Sequence, residues 1–485
     1  MLLRPGLALV FALMLAVMVV GPRSMATSGQ GIVGEPGGEP EPGVLPEDEG
    51  PEPTGDLVAP GPKPDLVLLS TGRVVGYVEP CGCPRNPAGG LARRAGYRDL
   101  LAGRYPDTPV LFVDTGDFSG DPDEAGRYKT RNMLDGMGML GLSVSNVGER
   151  ELADGIGAFL DRIHDQTVNY TSASFVYRDT GDPLLSPFVI REVPIGAKGT
   201  LKVGFVGVNA FNPAYARPAG DGRVVVTLPA ADALEVILPR AKDLAEMTVL
   251  LANMGVRDLT ELLRTVSGID LVFASDGERI SPGGVFETIE GVPVLYAGDQ
   301  GKRLGEVRIF RDGPAGGLRY QEGHVWLTRR YPPDPEIQSL IDSTIAHVNE
   351  INRERAEQVV VPAGARAFLT GDTCEPCHAE EHEIWSLSGH AHAYQTLRNV
   401  KQDFNPECVK CHVTGFNAPG GFVNGRVTPQ LTNVQCEACH GDATGHPENP
   451  EKPYGDTPPR TCFVCHTEEN SPDFVFFPYW NKIRH

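Results

Sequence analysis

The sequence predicts an α/β layered domain followed by a mainly α, loop-rich domain, on three observations. Between Asp65 and about Arg330, short apolar runs alternate with helical stretches, the signature of strands and helices stacked in layers. Beyond Val360 that alternation stops, and Gly, Pro and Asn clusters at Asn417–Gly425 and Pro447–Pro459 read as loops. Within the same stretch one pattern recurs: Cys374-Glu-Pro-Cys377-His378, Cys408-Val-Lys-Cys411-His412, Cys436-Glu-Ala-Cys439-His440 and Cys462-Phe-Val-Cys465-His466.

Each copy is C-x-x-C-H, in which two thiols form thioethers to a porphyrin and the adjacent imidazole binds its iron. A zinc site or stray disulfides would account for one copy. Four copies, each Cys pair followed at once by His, point to four covalent haem c groups, with His378, His412, His440 and His466 as proximal iron ligands. Of the 10 cysteines, eight belong to these motifs, and the remaining two are Cys81 and Cys83. No cysteine is left for a structural disulfide framework.

The 485-residue chain is long enough for two or three domains. Charged residues make up 22% and hydrophobic ones 41%, ordinary for a soluble protein. A formal net charge of −20 argues against nucleic acid or anionic membranes as partners and favours basic redox proteins. Oligomeric state is left open.

Residues 1–26 read as a signal peptide: Arg4, an apolar run from Leu7 to Val20, then Ser24-Met25-Ala26. Export to the periplasm or beyond follows, with no membrane span other than the signal. This agrees with the compartment in which haem c is attached. Residues 27–64, rich in Gly, Pro and Glu, read as a disordered tether that cannot bury enough apolar surface to offset its ordering entropy.

Strands are expected at Leu66–Ser70, Val110–Val113, Ser143–Val147, Val203–Val208, Thr248–Ala252, Leu271–Ala274 and Val294–Ala297. Helices are expected at Leu91–Ala102, Thr130–Leu140, Ile156–Ile163, Ala230–Leu244 and Leu259–Val266. Residues 65–330 thus form the first domain. Apolar residues at Ile337, Leu340, Ile341, Ile345, Val348 and Ile351 make 331–359 a helical connector, and 360–485 the cytochrome domain.

The polar loops after these strands carry a resemblance. Val113-Asp-Thr-Gly116-Asp117, Gly148-Glu149-Arg150-Glu151, Leu251-Ala-Asn253-Met-Gly255 and the stretch from Gly268 to Asp276-Gly-Glu278 are similar, in order and spacing, to the calcineurin-type metallophosphoesterases, above all the 5′-nucleotidases. The resemblance implies a four-layer α/β sandwich. It also implies a dinuclear metal site, from which this chain departs: the early Asp-x-His is missing near Thr71-Gly-Arg73, and no histidine stands at an expected ligand position. Asp117 survives, while Glu149, Asn253, Asp276 and Glu278 occupy other ligand places. Oxygen donors of this kind suit a hard divalent cation rather than Mn, Fe or Zn; otherwise they hydrogen-bond loops.

In place of the early motif stands Glu79-Pro80-Cys81-Gly82-Cys83-Pro84. It resembles a branch of exported nucleotidase-like proteins that share the Cys-Gly-Cys, which implies redox or sulfur chemistry at Cys81 and Cys83. A helix N-terminus and Arg93 or Arg94 would lower such a thiol's pKa. A purely structural Cys pair is the plain alternative.

No methionine follows Val360, so sixth iron ligands must come from His382, His390, His392, His446 or His485, favouring bis-His haems of low potential. His382 lies one turn beyond His378 on the same helix face and cannot reach the far side of its own haem. The last quarter of the chain resembles the tetrahaem cytochromes of nitrifying bacteria. That match implies His390 and His446 as distal ligands, with His392 next and one haem free to stay five-coordinate; His485 reads as a surface or propionate-binding residue.

Three functions emerge. The first is an electron-transfer cytochrome whose sandwich serves as a docking or scaffold module. The second is an oxidoreductase acting on a small sulfur or nitrogen compound at Cys81/Cys83 or at an open haem. A metal-dependent phosphohydrolase, the third, is disfavoured by the lost histidines.

Overall fold

The computed structural model describes residues 61–81, 87–164, 166–275, 286–313, 316–359, 365–451, 454–455, 457–467, 470–471 and 474–485. The signal, most of the tether, Cys83, Asp276 and Glu278 lie outside the described residues.

Two six-stranded sheets stack face to face. In chain ranges, the first runs 318–326, 303–311, 66–71, 110–114, 142–146, 169–171, and the second 286–289, 292–296, 271–274, 247–253, 200–209, 188–194. The central strands are parallel and the outer ones mostly antiparallel.

Successive side chains of a strand point to opposite faces. Leu66 and Leu68 accordingly enter the core between the sheets with Phe205, Leu251 and Phe273. Val67 and Leu69 face the other way, into a second core with Leu91, Met133 and Ile337. Across the molecule, Val206, Leu250 and Val272 turn outward against Leu234, Ile237 and Leu262. Both faces of each sheet are therefore covered, which is why these strands read as unbroken apolar runs. The result is a helix–sheet–sheet–helix sandwich of four layers.

All seven expected strands and five expected helices form; Leu271–Ala274, Ile156–Ile163 and Ala230–Leu244 keep their expected bounds, and the others shift at one or both ends. Helix Glu124–Leu140 starts six residues ahead of the expected Thr130, because the Asp123 carboxylate caps it by accepting from Gly126 N at 2.7 Å. Several antiparallel strands go beyond those expected. Arg303–Arg311 is buried along its whole length, yet its charges disguise it. Glu306 and Arg308 are both wholly buried, paired at 2.6 Å, and Tyr97 Oη also donates to Glu306. The second donor to Glu306 offsets part of the cost of taking the charged pair out of water.

Helix Pro335–Gln358 is more than a connector. Its Ile337 and Ile341 join the core over the first sheet, and its C-terminal half packs Val348 and Ile351 on Ala125. Farther along, Asn424 Nδ2 donates to Ala356 O at 3.0 Å, Asn349 Nδ2 to Lys401 O at 2.7 Å, and Arg426 pairs with Glu357 at 2.9 Å. One helix thus completes the sandwich and seats the region that follows.

That region is built from short helices such as Ala379–Ser386, Ala393–Asn399 and Cys436–His440, joined by turns. Its apolar cluster is small: Tyr394, Leu397, Val409, Val413, Phe422 and Leu431. Among the described residues no helix is long and apolar enough to cross a membrane.

The seat of the long helix is testable at Gly96. A Cβ there would stand 1.9 Å from the Pro332 carbonyl oxygen, so Gly96→Ala must push residues 331–335 off helix Leu91–Arg104. Overpacking of this kind costs about 1–3 kcal/mol, and thermal unfolding of the full chain should show Tm lowered by several degrees. An unchanged Tm would mean that the contact is soft.

Candidate functional site

The loops after the parallel strands converge at one end of the sandwich, where folds of this type place their chemistry. Asp117 stands at φ 57 in the loop after Val110–Asp114. Its Oδ1 accepts from Arg150 N at 3.2 Å. Gly148 lies between Asp117 and Asn253: a Cβ there would meet Asp117 Oδ1 at 2.2 Å and Asn253 Nδ2 at 2.5 Å. The fold therefore brings Asp117 and Asn253 together over a glycine.

Glu149 is engaged differently, accepting from Asn212 Nδ2 at 2.8 Å, and Asn253 Oδ1 accepts from Ser275 Oγ at 2.7 Å. The described residues contain no cluster of three or more His, Cys, Asp or Glu side chains spaced to hold a metal ion.

Two acids given no role from sequence organise these loops. Glu151 is buried and accepts from the backbone N–H groups of Asp117, Ser119 and Gly148 at 2.8–2.9 Å. Burial, and then the neighbouring Asp117 charge, push its carboxyl up to about 7. Asp114 accepts from Gly116 N at 2.8 Å and Thr71 Oγ1 at 2.5 Å. Burial pushes it up to about 6, against the opposing pull of those two bonds and of Arg94. The sequence signal was present in both cases: each acid lies within three residues of a loop glycine, where a carboxylate reaches turn N–H groups.

The Cys81 segment forms a two-residue ladder, Pro80–Cys81 against Ala88–Gly89, ahead of helix Leu91–Arg104. The expected arginine neighbours are committed elsewhere. Arg93 donates to the carbonyls of Pro87 and Leu327, and Arg94 is buried against Gly301. The segment instead meets the turn ahead of the second C-x-x-C-H motif: Gln402 Nε2 donates to Glu79 Oε2 at 3.3 Å. Burial first, then the proximity of Cys81 and Glu79, hold the unmodified Cys408 thiol up at about 12.

In the C-terminal region each motif closes on itself. His378 N donates to Cys374 O at 3.0 Å, His412 N to Val409 O at 2.9 Å and His466 N to Cys462 O at 2.9 Å. The outer ring nitrogens are then fixed: Nδ1 of His412 lies 2.7 Å from Ala393 O, that of His440 2.7 Å from Gly455 O, and that of His466 3.1 Å from Ser471 Oγ. An imidazole that donates from Nδ1 keeps Nε2 bare for a metal, the usual orientation of ligating histidines.

Opposite the motif rings stand other histidines. The His378 and His446 ring centres are 6.2 Å apart at an interplanar angle of 28°, and those of His390 and His466 are 6.0 Å apart. His446 Nδ1 is buried with no hydrogen-bond partner. His392 is exposed, and among the described residues its ring touches no motif imidazole. His382 packs on Trp385 at 5.2 Å. No second histidine ring faces His412 among the described residues.

The motifs also pair through their thiols, which no sequence spacing signals. Cys374 hydrogen-bonds with Cys436, and Cys411 with Cys465. The first motif thus comes near the third at one cysteine, the second near the fourth, and Cys439 of the third lies near Cys462 of the fourth. Bare Nε2 atoms, facing imidazoles and an orphaned ring nitrogen together fit covalently bound haem c.

Fold and donor set define the class: an α/β sandwich of metallophosphoesterase type continued by a c-type cytochrome domain. Residues 373–441 match the family model for cytochrome c554 and c-prime. Cytochrome c-554 of Nitrosomonas europaea is 35% identical over 83 residues, 14% of this chain and 35% of that protein. A 2′,3′-cyclic-nucleotide 2′-phosphodiesterase/3′-nucleotidase of Yersinia enterocolitica is 25% identical over 268 residues, 47% of this chain and 39% of that protein. Among solved structures, a 5′-nucleotidase precursor from Thermus thermophilus superposes with a TM-score of 0.50 at 20% identity, covering 70% of this chain and 68% of that one. The chain spans little more than a third of the length of the curated relatives it matches.

The buried acids make a pH prediction. A carboxyl whose folded pKa is raised adds stability that is complete below its ordinary range, near 4, and is lost as pH climbs through the folded value. For Asp114 that value is about 6. Asp114→Asn keeps the shape and removes the titration, so the Tm of the variant relative to wild type should rise between about pH 5 and pH 8. A Tm difference independent of pH would show that Asp114 is ionised throughout.

Proposed function

We propose that the chain is an exported tetrahaem c-type cytochrome that carries electrons, with the sandwich as a docking and scaffold module. The observation that carries this reading is the facing of motif and non-motif imidazoles at 6.2 and 6.0 Å.

Cys374/Cys377, Cys408/Cys411, Cys436/Cys439 and Cys462/Cys465 hold the four groups, and His378, His412, His440 and His466 take the proximal positions. His446 serves opposite His378, and His390 opposite His466. Bound haem c supplies one-electron transfer, at the low potentials of bis-His ligation. Proximity of the motif cysteines, Cys374 to Cys436, Cys411 to Cys465 and Cys439 to Cys462, keeps neighbouring groups close. The acidic surface implied by the net charge of −20 steers a basic redox partner in the periplasm or outside the cell.

Asp117, Glu149 and Asn253 are tied to backbone and side-chain partners, as suits a scaffold that no longer hydrolyses phosphate esters. Loss of the family's histidines supports the same reading.

A second reading, an oxidoreductase, is favoured by the meeting of Cys81 and Glu79 with Cys408. Here a small sulfur or nitrogen compound would react at Cys81/Cys83, or at the position opposite His412.

The readings separate in one set of experiments on the holoprotein. Haem content should be four per chain, and mutating one Cys pair should lower it by one. The Cys81→Ser/Cys83→Ser double variant should leave haem potentials and electron exchange with a basic redox protein unchanged. Loss of turnover of a sulfur or nitrogen compound, with haem content intact, would select the oxidoreductase. Nucleotide hydrolysis with added Mn or Zn would overturn the scaffold role.

A further inference from the structure

We propose that the cavity between the C-terminal half of helix Pro335–Gln358 and the turn that opens the second C-x-x-C-H motif is a binding site for a neutral quinol or quinone. This rests on the electron-transfer reading and names a small-molecule donor for it.

The cavity has a volume of about 500 Å³, within the roughly 300–1,000 Å³ usual for sites that enclose a small molecule. One wall is a single stripe of the helix. Asn352, Arg355, Ala356 and Val359 line it, at the three- and four-residue spacing that puts side chains on one face. The wall opposite is held in shape by its backbone. Asn417 and Gly420 stand at φ 60 and 80, while Gly421 N donates to Ala418 O at 2.9 Å and Phe422 N to Thr414 O at 3.1 Å. A Cβ on Gly420 would lie 2.0 Å from Arg366 O, so the loop packs directly on its neighbour and the cavity is preformed.

This space is not the one that receives the haem of the same motif. Pro406 and Val409 line it, whereas Cys408, Cys411 and His412 do not. In a helical turn, residues 406 and 409 share one face, and 408, 411 and 412 share another.

Three features select the ligand. Phe404, Phe416 and Phe422 supply aromatic walls, which suit a flat ring. The lining carries one cation, Arg355, anchored by Asp123 Oδ2 at 2.7 Å, and one anion, Asp403, a balance that favours a neutral molecule over an ion. Asn352 is only 7% exposed, and its side-chain amide has no hydrogen-bond partner among the described residues. A buried amide needs partners, and it offers both donors and an acceptor, which serve a quinone carbonyl and a quinol hydroxyl alike. The bound ring then lies one turn of chain from Cys408. A quinol that gives up two electrons, one to each of two ferric haems c, and two protons to water at the cavity mouth leaves as the quinone.

The test is equilibrium dialysis of duroquinone against the full-length holoprotein, with durene, which has the same ring and methyl groups but no oxygen, as the comparison. Wild type should bind one duroquinone per chain, and bind it more tightly than durene. Asn352→Leu should weaken duroquinone by about tenfold, the loss of one hydrogen bond, and leave durene unchanged. Ala418→Trp, at the exposed rim, should block both, which keeps the proposal decidable if the Asn352 variant matures poorly. Duroquinol should reduce the wild-type haems faster than those of either variant. Absence of saturable duroquinone binding overturns the proposal, as does equal affinity for durene or binding that neither substitution alters. Haem content judges the tetrahaem reading separately: fewer than four per chain with duroquinone still bound would sink that reading and uphold the site.

Discussion

Burial of both faces of two stacked sheets is the constraint on which the rest of this molecule depends. Leu66 and Leu68 are committed to one core while Val67 and Leu69 are committed to another, all with no exposed surface. A shift of one residue in strand register would exchange the two sets. Fixed register in turn fixes where each parallel strand ends, and so where the loops carrying Asp117, Glu151 and Asn253 meet. The outer helices complete the enclosure. Helix Pro335–Gln358 belongs to that layer for half its length and then becomes the platform for the cytochrome region.

At the loop end of the sandwich, three backbone N–H groups converge on Glu151 and one on Asp114. Buried donors need acceptors, and here carboxylates provide them at the cost of their own desolvation. The loops are thereby held without a histidine among Asp117, Glu149 and Asn253. Asp117 keeps the left-handed backbone and Gly148 the close approach that the loop geometry demands.

The cytochrome region obeys a different rule. Its apolar cluster is a handful of side chains, far less than a region of this length needs to offset chain entropy by burial alone. Its organisation comes from short-range turns that close each C-x-x-C-H motif and from imidazoles set ring to ring. The stretch from Glu79 to Cys81 lies near Cys408 and Glu79 is bound by Gln402, so the sandwich meets this region close to a haem-attachment motif.

The sequence by itself determined the elements with strong periodicity and the attachment chemistry. The seven apolar runs became strands because both their faces are buried, and C-x-x-C-H is a local pattern that needs no fold to be read. Charge misled where tertiary contacts neutralise it: Glu306 and Arg308 made an inner strand look like surface until each was seen to satisfy the other beside Tyr97. The same holds for the roles of Asp114 and Glu151, which depend on N–H groups from other loops. Which motif lies on which, and which histidine faces which, was decided by the tertiary structure alone. Thiol pairs such as Cys374–Cys436 and ring pairs such as His390–His466 join residues far apart in the chain, and spacing carries information only about neighbours.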